Sequence, residues 1–278
     1  MDFEVEYNNR ARVPNWADIF ADWQGRSARL RGAAVAADLG IPYGPTARQI
    51  LDIVWPETGR DAPVVLLIHG GYWQYMHPRD LTFAAEGLLK NGVGVALAGY
   101  DLAPDVPLDT IVSQLRGAAV CLYHRIRRRF AVTGHSAGGH LAACLTATRW
   151  KDLDPRGPDD IVPAGAGISG VYEVEPLVQT SMNDRLHLTA DEARRLSPAL
   201  WEVPQGRHFE TFTGGLESAE FLRQGRDLAA AWAAQGVVTA AHAVEGTNHF
   251  TVVEQLADTG TPLVACLADM ARDAAARA

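Results

Sequence analysis

Cysteine is scarce: Cys121, Cys144 and Cys266 are the only three in 278 residues, and no two stand in a C-x-x-C pair. Their spacing suggests neither a disulfide framework nor a thiolate zinc site, and the three read as small core hydrophobes. No H-E-x-x-H and no other tight His/Asp/Glu cluster occurs; His135 and His140 lack a third ligand nearby, so no metal and no cofactor is expected. Long apolar runs are missing too, and no stretch approaches the roughly 20 residues of a membrane span. The start, Met1-Asp2-Phe3-Glu4-Val5-Glu6, is acidic and holds no apolar signal core, which points to a cytoplasmic location. Positive charge is in the minority, with a formal net charge of -8, which argues against a nucleic-acid partner. The basic run Arg125-Ile126-Arg127-Arg128-Arg129 falls at a helix end, where cations complement the dipole and stay solvated. Neither an internal repeat nor a dividing linker is visible, so residues 1–278 are expected to form a single α/β domain.

What is present is organised around Gly134-His135-Ser136-Ala137-Gly138, which follows the apolar run Phe130 to Val132 and opens into Leu141-Ala142-Ala143-Cys144-Leu145. Strand, sharp turn and helix in that order present a serine hydroxyl at the carboxyl end of a sheet, with a helix amino terminus behind it. Earlier strands are expected at Gln49 to Trp55, Pro63 to Ile68 and Val93 to Ala98, with helices from Arg79 to Lys90 and from Pro107 to about Arg128. Gly40 to Pro45 reads as turn. Trp16, Ile19, Phe20 and Trp23 form the stripe of an amphipathic helix. After the serine, strands at 208–213 and 237–244 flank a helix from Ser218 to Gln235, and 172–205 holds short helices at best. This alternation argues for a mostly parallel, doubly wound sheet with helices on both faces. Segments 1–45 and 172–205 are candidate cap elements over the site. The literal G-x-G-x-x-G of Gly165 to Gly170 is read as a decoy, because no clean helix follows it and no acidic residue stands at a strand end about 20 residues on.

Three strand ends thus supply Ser136, Glu217 and His249, in the order nucleophile, acid, base. His249 would take the serine proton, and Glu217 would hold the imidazole tautomer; Glu220 is a second candidate for the acid. The loop His69-Gly70-Gly71 follows the strand that supplies an oxyanion hole in such sites, so amides at Gly70, Gly71 and Ala137 are its candidate donors. His69 itself reads as a loop-orienting hydrogen bonder.

These residues carry a resemblance. His69-Gly70-Gly71-Tyr72-Trp73, Gly134 to Leu141 and Asn248-His249-Phe250 resemble the arylformamidases, or kynurenine formamidases, of the α/β-hydrolase fold. Tyr7-Asn8-Asn9-Arg10, Ser169-Gly170-Val171-Tyr172 and Glu217 to Phe221 with Gln224 are similar as well, so the likeness spans nearly the whole chain. The resemblance implies that Ser136, Glu217 and His249 form the triad, although several members carry aspartate at the acid. It also implies hydrolysis of an N-formyl arylamine, such as N-formylkynurenine, to formate and the aromatic amine. Tyr72, Trp73 and Trp16 are then candidates for the flat walls that hold the arene. A carboxylesterase for small acyl esters and a non-catalytic small-molecule-binding module are the alternatives. The expected partner is a small aromatic formamide or ester, with no membrane or nucleic acid; the oligomeric state stays open, a homodimer included.

Overall fold

In a computed structural model, which describes residues 1–34 and 36–277, eight strands form one sheet. They are β1 (Ala37–Pro42), β2 (Ile50–Val54), β3 (Val64–Ile68), β4 (Gly94–Ala98), β5 (Ala131–His135), β6 (Ala164–Ile168), β7 (His208–Gly214) and β8 (Val238–Val244). The helices are α1 (Phe3–Tyr7), α2 (Asn9–Arg12), α3 (Trp16–Ala33), α4 (Glu86–Lys90), α5 (Leu108–Ile126), α6 (Ala137–Thr146), α7 (Asn183–Leu186), α8 (Ala190–Arg195), α9 (Ala219–Ala233) and α10 (Pro262–Ala276). The strand order is β1-β2-β4-β3-β5-β6-β7-β8. The first two pairings are antiparallel, and every pairing from β4 to β8 is parallel.

The apolar run of β3 shows why the sheet is sandwiched. Successive side chains point to opposite faces, so Val64, Leu66 and Ile68 enter one core while Val65 and Leu67 enter another. The first core is closed by α5, α6 and α9, through residues such as Leu115, Leu141 and Trp232. Trp23 of α3 and Leu263 and Leu267 of α10 help to close the second. Parallel register then brings the strand ends together: Ile68 pairs with Gly134, His135 with Ile168, and Gly214 with Val244. The segments after β3, β5, β6, β7 and β8 therefore emerge along one edge of the sheet, where such folds gather their chemistry.

Two local expectations are corrected. Gly40 to Pro42 is not turn but the end of β1, an edge strand that pairs with β2 across a register shift between Asp38 and Ile41. Its mixed exposure gives it no alternating pattern, and the Gly40 amide donates to Asp52 at the irregularity. The helix expected over Arg79 to Lys90 is divided: Pro78–Ala85 winds as a 3-10 helix, and only Glu86–Lys90 is α-helical. Helix α3 takes the partners an α-helix would need there. Ser27 Oγ accepts the Phe83 amide at 3.0 Å, and Arg31 occupies the Arg79 carbonyl. The G-x-G-x-x-G stretch, set aside above as a decoy, supplies the buried strand β6. A side chain at Gly167 would meet the Tyr172 hydroxyl at 2.0 Å, so the glycine serves close packing rather than a phosphate.

Candidate active site

Ser136 is the residue between β5 and α6, and its backbone is held at φ 57, ψ -118. A side-chain-bearing residue at this dihedral is strained, and the surroundings impose it. The Ser136 amide donates to the Ile168 carbonyl at 2.8 Å, and its carbonyl accepts from the Gly139 amide at 2.8 Å. The turn is too tight for side chains on either flank: a Cβ at Gly134 would lie 2.2 Å from the Gly138 carbonyl oxygen, and one at Gly138 would lie 2.1 Å from that of Ile68. The motif's glycines are thus explained by sterics alone.

His249, past β8, and Glu217, past β7, meet beneath this turn. His249 Nδ1 lies 2.6 Å from Glu217 Oε2, with both side chains almost wholly buried. The other carboxylate oxygen is fully engaged: Oε1 accepts the Gly214 amide at 2.7 Å and the Ser169 hydroxyl. A carboxylate that accepts from its own strand end and from the next one cannot swing, so its free oxygen is aimed at the imidazole. The contact also fixes the tautomer. Nδ1 carries the proton that Glu217 accepts, so in the neutral tautomer the lone pair lies on Nε2. Ser136 and His249 line the same cavity.

Glu220, the second candidate acid, is directed elsewhere. Its carboxylate accepts from the Tyr7 hydroxyl at 3.0 Å and from two nitrogens of Arg223 at 2.9 and 3.0 Å. Burial opposes its charge, but Arg223 and Tyr7 together hold its pKa below the ordinary glutamate range. It ties α1 to α9 rather than serving His249.

The loop after β3 lies against the serine. A Cβ at Gly70 would come within 3.1 Å of Ser136 Cβ, and Gly71, at φ 95, lines the cavity. The Tyr100 hydroxyl donates to the His69 carbonyl at 2.9 Å, and the His69 ring stacks on Tyr100 with centroids 4.2 Å apart. Burial pushes His69 down to about 3, so it stays a neutral brace, with Nδ1 2.9 Å from the Gly70 carbonyl. His135 is also pushed down to about 3, by burial first and the neighbouring His249 second. Its neutral ring donates from Nε2 to the His249 carbonyl at 2.7 Å, which couples the His249 loop to the turn that holds Ser136.

The cavity above has a volume of about 880 Å³, within the range of small-molecule sites. Tyr72 and Trp16 line it. Trp73 does not. It is fully buried and makes an edge contact with His140 at 5.0 Å, in the core beneath the loop. Tyr72 and Trp73 both adopt positive φ, and this tight turn sends neighbouring rings to different environments. Sequence reasoning passed over Phe20, Tyr75, Met182 and Phe250 as cavity walls, and Ser169 as a holder of the acid. Phe20 lies on the aromatic stripe already noted in α3, which was the available signal. Among the described residues, no group of three or more His, Cys, Asp or Glu is arranged to hold a metal ion, and no helix is long and apolar enough to cross a membrane.

Known proteins resemble this chain over most of its length. Residues 51–160 match the BD-FAE family model. The chain is 34% identical over 244 residues to a kynurenine formamidase of Salmo salar, covering 83% of this chain and 80% of that protein. It is 31% identical to a kynurenine formamidase of Danio rerio, over 88% of this chain and 86% of the relative. Among solved structures, a candidate thioesterase from Silicibacter sp. TM1040 superposes with a TM-score of 0.87 at 29% identity, covering 96% of this chain and 99% of the other. An esterase from Pyrobaculum calidifontis shares the fold, with a TM-score of 0.72 at 19% identity over 94% of each chain.

Proposed function

The chain belongs to the kynurenine formamidase family of the α/β-hydrolase fold, and from that premise we propose that it cleaves an N-formyl arylamine to formate and the free aromatic amine through a formyl-enzyme. The observation that carries this reading is the 2.6 Å contact of His249 with Glu217 at the floor of an aromatic-walled cavity that Ser136 also lines.

In the proposed reaction Ser136 Oγ attacks the formyl carbonyl while His249 Nε2 takes the hydroxyl proton. Negative charge moves onto the carbonyl oxygen, where amides of the Gly70-Gly71 loop and of Ala137 receive it. Each such donor contributes on the order of 3 kcal/mol to transition-state stability. Glu217 stabilises the imidazolium, which then protonates the departing arylamine nitrogen as the C–N bond breaks. Water adds to the formyl ester with His249 again as base, and collapse releases formate and restores the Ser136 hydroxyl. A formyl group carries only hydrogen beyond its carbonyl, so little room is needed beside the Gly70-Gly71 loop. The arene is the bulky part, and Tyr72, Trp16 and Phe20 are suited to hold it. In the same reading, residues 1–45 and 172–205 act as cap elements, with Trp16 from the first and Met182 from the second facing the cavity.

The test compares formate release from N-formylkynurenine with turnover of a short-chain aryl ester. The formamide should be cleaved well above the rate of Ser136→Ala, which should lose about 10⁵ to 10⁶ in kcat. Formamide cleavage no faster than that variant's, beside brisk ester turnover, would instead make the protein a carboxylesterase for small acyl esters. Failure of a serine-directed phosphonate to label Ser136 would favour the non-catalytic binding module.

A further inference from the structure

The partition between two recesses carries an acceptor that no described residue uses. A second recess, of about 520 Å³, lies beside the Ser136 cavity and is lined by Arg12, Asn15, Leu216, Glu217 and Asn248 among others. Two residues line both spaces, Asn9 and His249, whereas Ser136 lines the first alone. Asn9, on α2, is only 4% exposed, and its Nδ2 donates to the Tyr72 hydroxyl at 3.3 Å. That contact fixes which way the amide is turned. The Tyr72 hydroxyl has one proton and gives it to the Tyr7 carbonyl; burial, the main cause of its strongly raised pKa, keeps that proton in place. The hydroxyl can therefore only accept from Asn9, so the amide NH₂ faces Tyr72 and the carbonyl oxygen is turned away from it. Asn9 Oδ1 accepts no hydrogen bond among the described residues. A buried amide oxygen without a partner is destabilising, and among polar neighbours water relieves it.

Asn9 and His249 thus bring two acceptors to one partition, the amide Oδ1 and the Nε2 lone pair of the neutral imidazole, and water has two protons to offer. We propose that Asn9 and His249 together hold the water that hydrolyses the acyl-enzyme, drawn from the recess beside Leu216, so that Asn9 is a positioning residue for the second half of the reaction. This rests on the acyl-enzyme of the proposed function but not on the choice of a formamide. The water oxygen bonds to the carbonyl carbon as one proton passes to His249 Nε2; the bond from that carbon to Ser136 Oγ then breaks, and the same proton goes to Oγ. The proton held by Asn9 is not transferred. It leaves with the acid, which ionises in solvent. In the first half-reaction Nε2 takes the Ser136 proton instead, and Asn9 has no part in it.

The experiment uses 4-nitrophenyl acetate, whose acetyl-enzyme undergoes the same hydrolysis, with and without methanol as a competing acceptor. In Asn9→Ala, kcat should fall about 10-fold while kcat/KM, which reports acylation, stays within about 3-fold. Methanol has a single O–H and gains nothing from Oδ1. The ratio of methyl acetate to acetate at fixed methanol should therefore rise about 3- to 10-fold in the variant, the scale of one hydrogen bond. Asn9→Asp keeps the oxygen and should hold that ratio near the parent's, which separates a lost acceptor from a changed space. If Asn9→Ala loosens α2, seen as a lower Tm, Asn9→Leu, close to asparagine in size, carries the same test. An unchanged product ratio, or equal losses in kcat and kcat/KM, overturns the proposal and leaves the acyl-enzyme reading standing. Failure to find acetylated Ser136 by mass after an acid quench would sink the acyl-enzyme reading, and this proposal with it.

Discussion

The floor of the cavity and its rim are built differently. At the floor, Ser136, Glu217 and His249 are 3%, 8% and 5% exposed, and short bonds from neighbouring strand ends fix the acid and the turns around it. At the rim, Arg10, Ser181 and Arg185 are exposed, and segments far apart in the chain are joined by surface pairs such as Glu4 with Ser181, which share two hydrogen bonds. On the proposed reading, the buried floor would set which bond is broken, and the exposed rim of short helices would set which molecule is offered to it.

This contrast can be broken by substitutions that act on one region alone. The largest effect is expected at the floor. Glu217→Gln should lower kcat by about 10³ to 10⁴, because an amide can present its NH₂ to the imidazole and favour the wrong tautomer. Glu220→Gln, three residues on, should change kcat less than about 10-fold while costing about 1–3 kcal/mol of stability through Arg223 and Tyr7. Ser169→Ala should fall between, with kcat down about 10-fold and KM little changed. Steady-state kinetics and thermal melts on the three variants decide this, and equal kcat losses at Glu217 and Glu220 would refute the assignment of the acid.

A second test sharpens the point that the floor is buried. His69 and His135 are pushed down to about 3, and His140 to about 4, in each case chiefly by burial. The unfolded chain takes up a proton on each near pH 6.5, whereas the native state does so only near 3 to 4. Between those values the unfolded state binds more protons, so stability falls as pH falls, by about 1.4 kcal/mol per pH unit for each histidine. Tm should therefore drop steeply from pH 6.5 to pH 5, and a flat profile would contradict the burial of these rings.

How much of this was legible in the sequence follows the same division. Ser136 stood out because a glycine-flanked serine between an apolar run and a helix leaves few readings, and His249 and Glu217 followed from strand ends in chain order. Ser169 was missed as a functional residue, since a serine ending a glycine-rich strand matches many loops; only the β6–β7 pairing brings it to Glu217. Trp73 was misplaced because adjacency to Tyr72 says nothing about direction within a turn of positive φ. Strand β1 escaped because a half-exposed edge shows no period. The rim's arginines lie in stretches without periodicity, and they are brought together only by tertiary packing on Tyr75.

The left-handed backbone of Ser136 also matters to anyone seeking a more heat-resistant form of this protein. Strain of about 1–3 kcal/mol is held at one residue; glycine would release it, against an entropic penalty of about 0.5–1 kcal/mol from the greater freedom of its unfolded chain. Ser136→Gly should therefore melt higher than the parent, by about 1 kcal/mol net, while losing all hydrolytic power. A Tm at or below the parent's would show that the turn is relaxed. Screens that select for thermal survival alone would then drift toward dead protein at this position, so selection for robustness must be paired with selection for turnover.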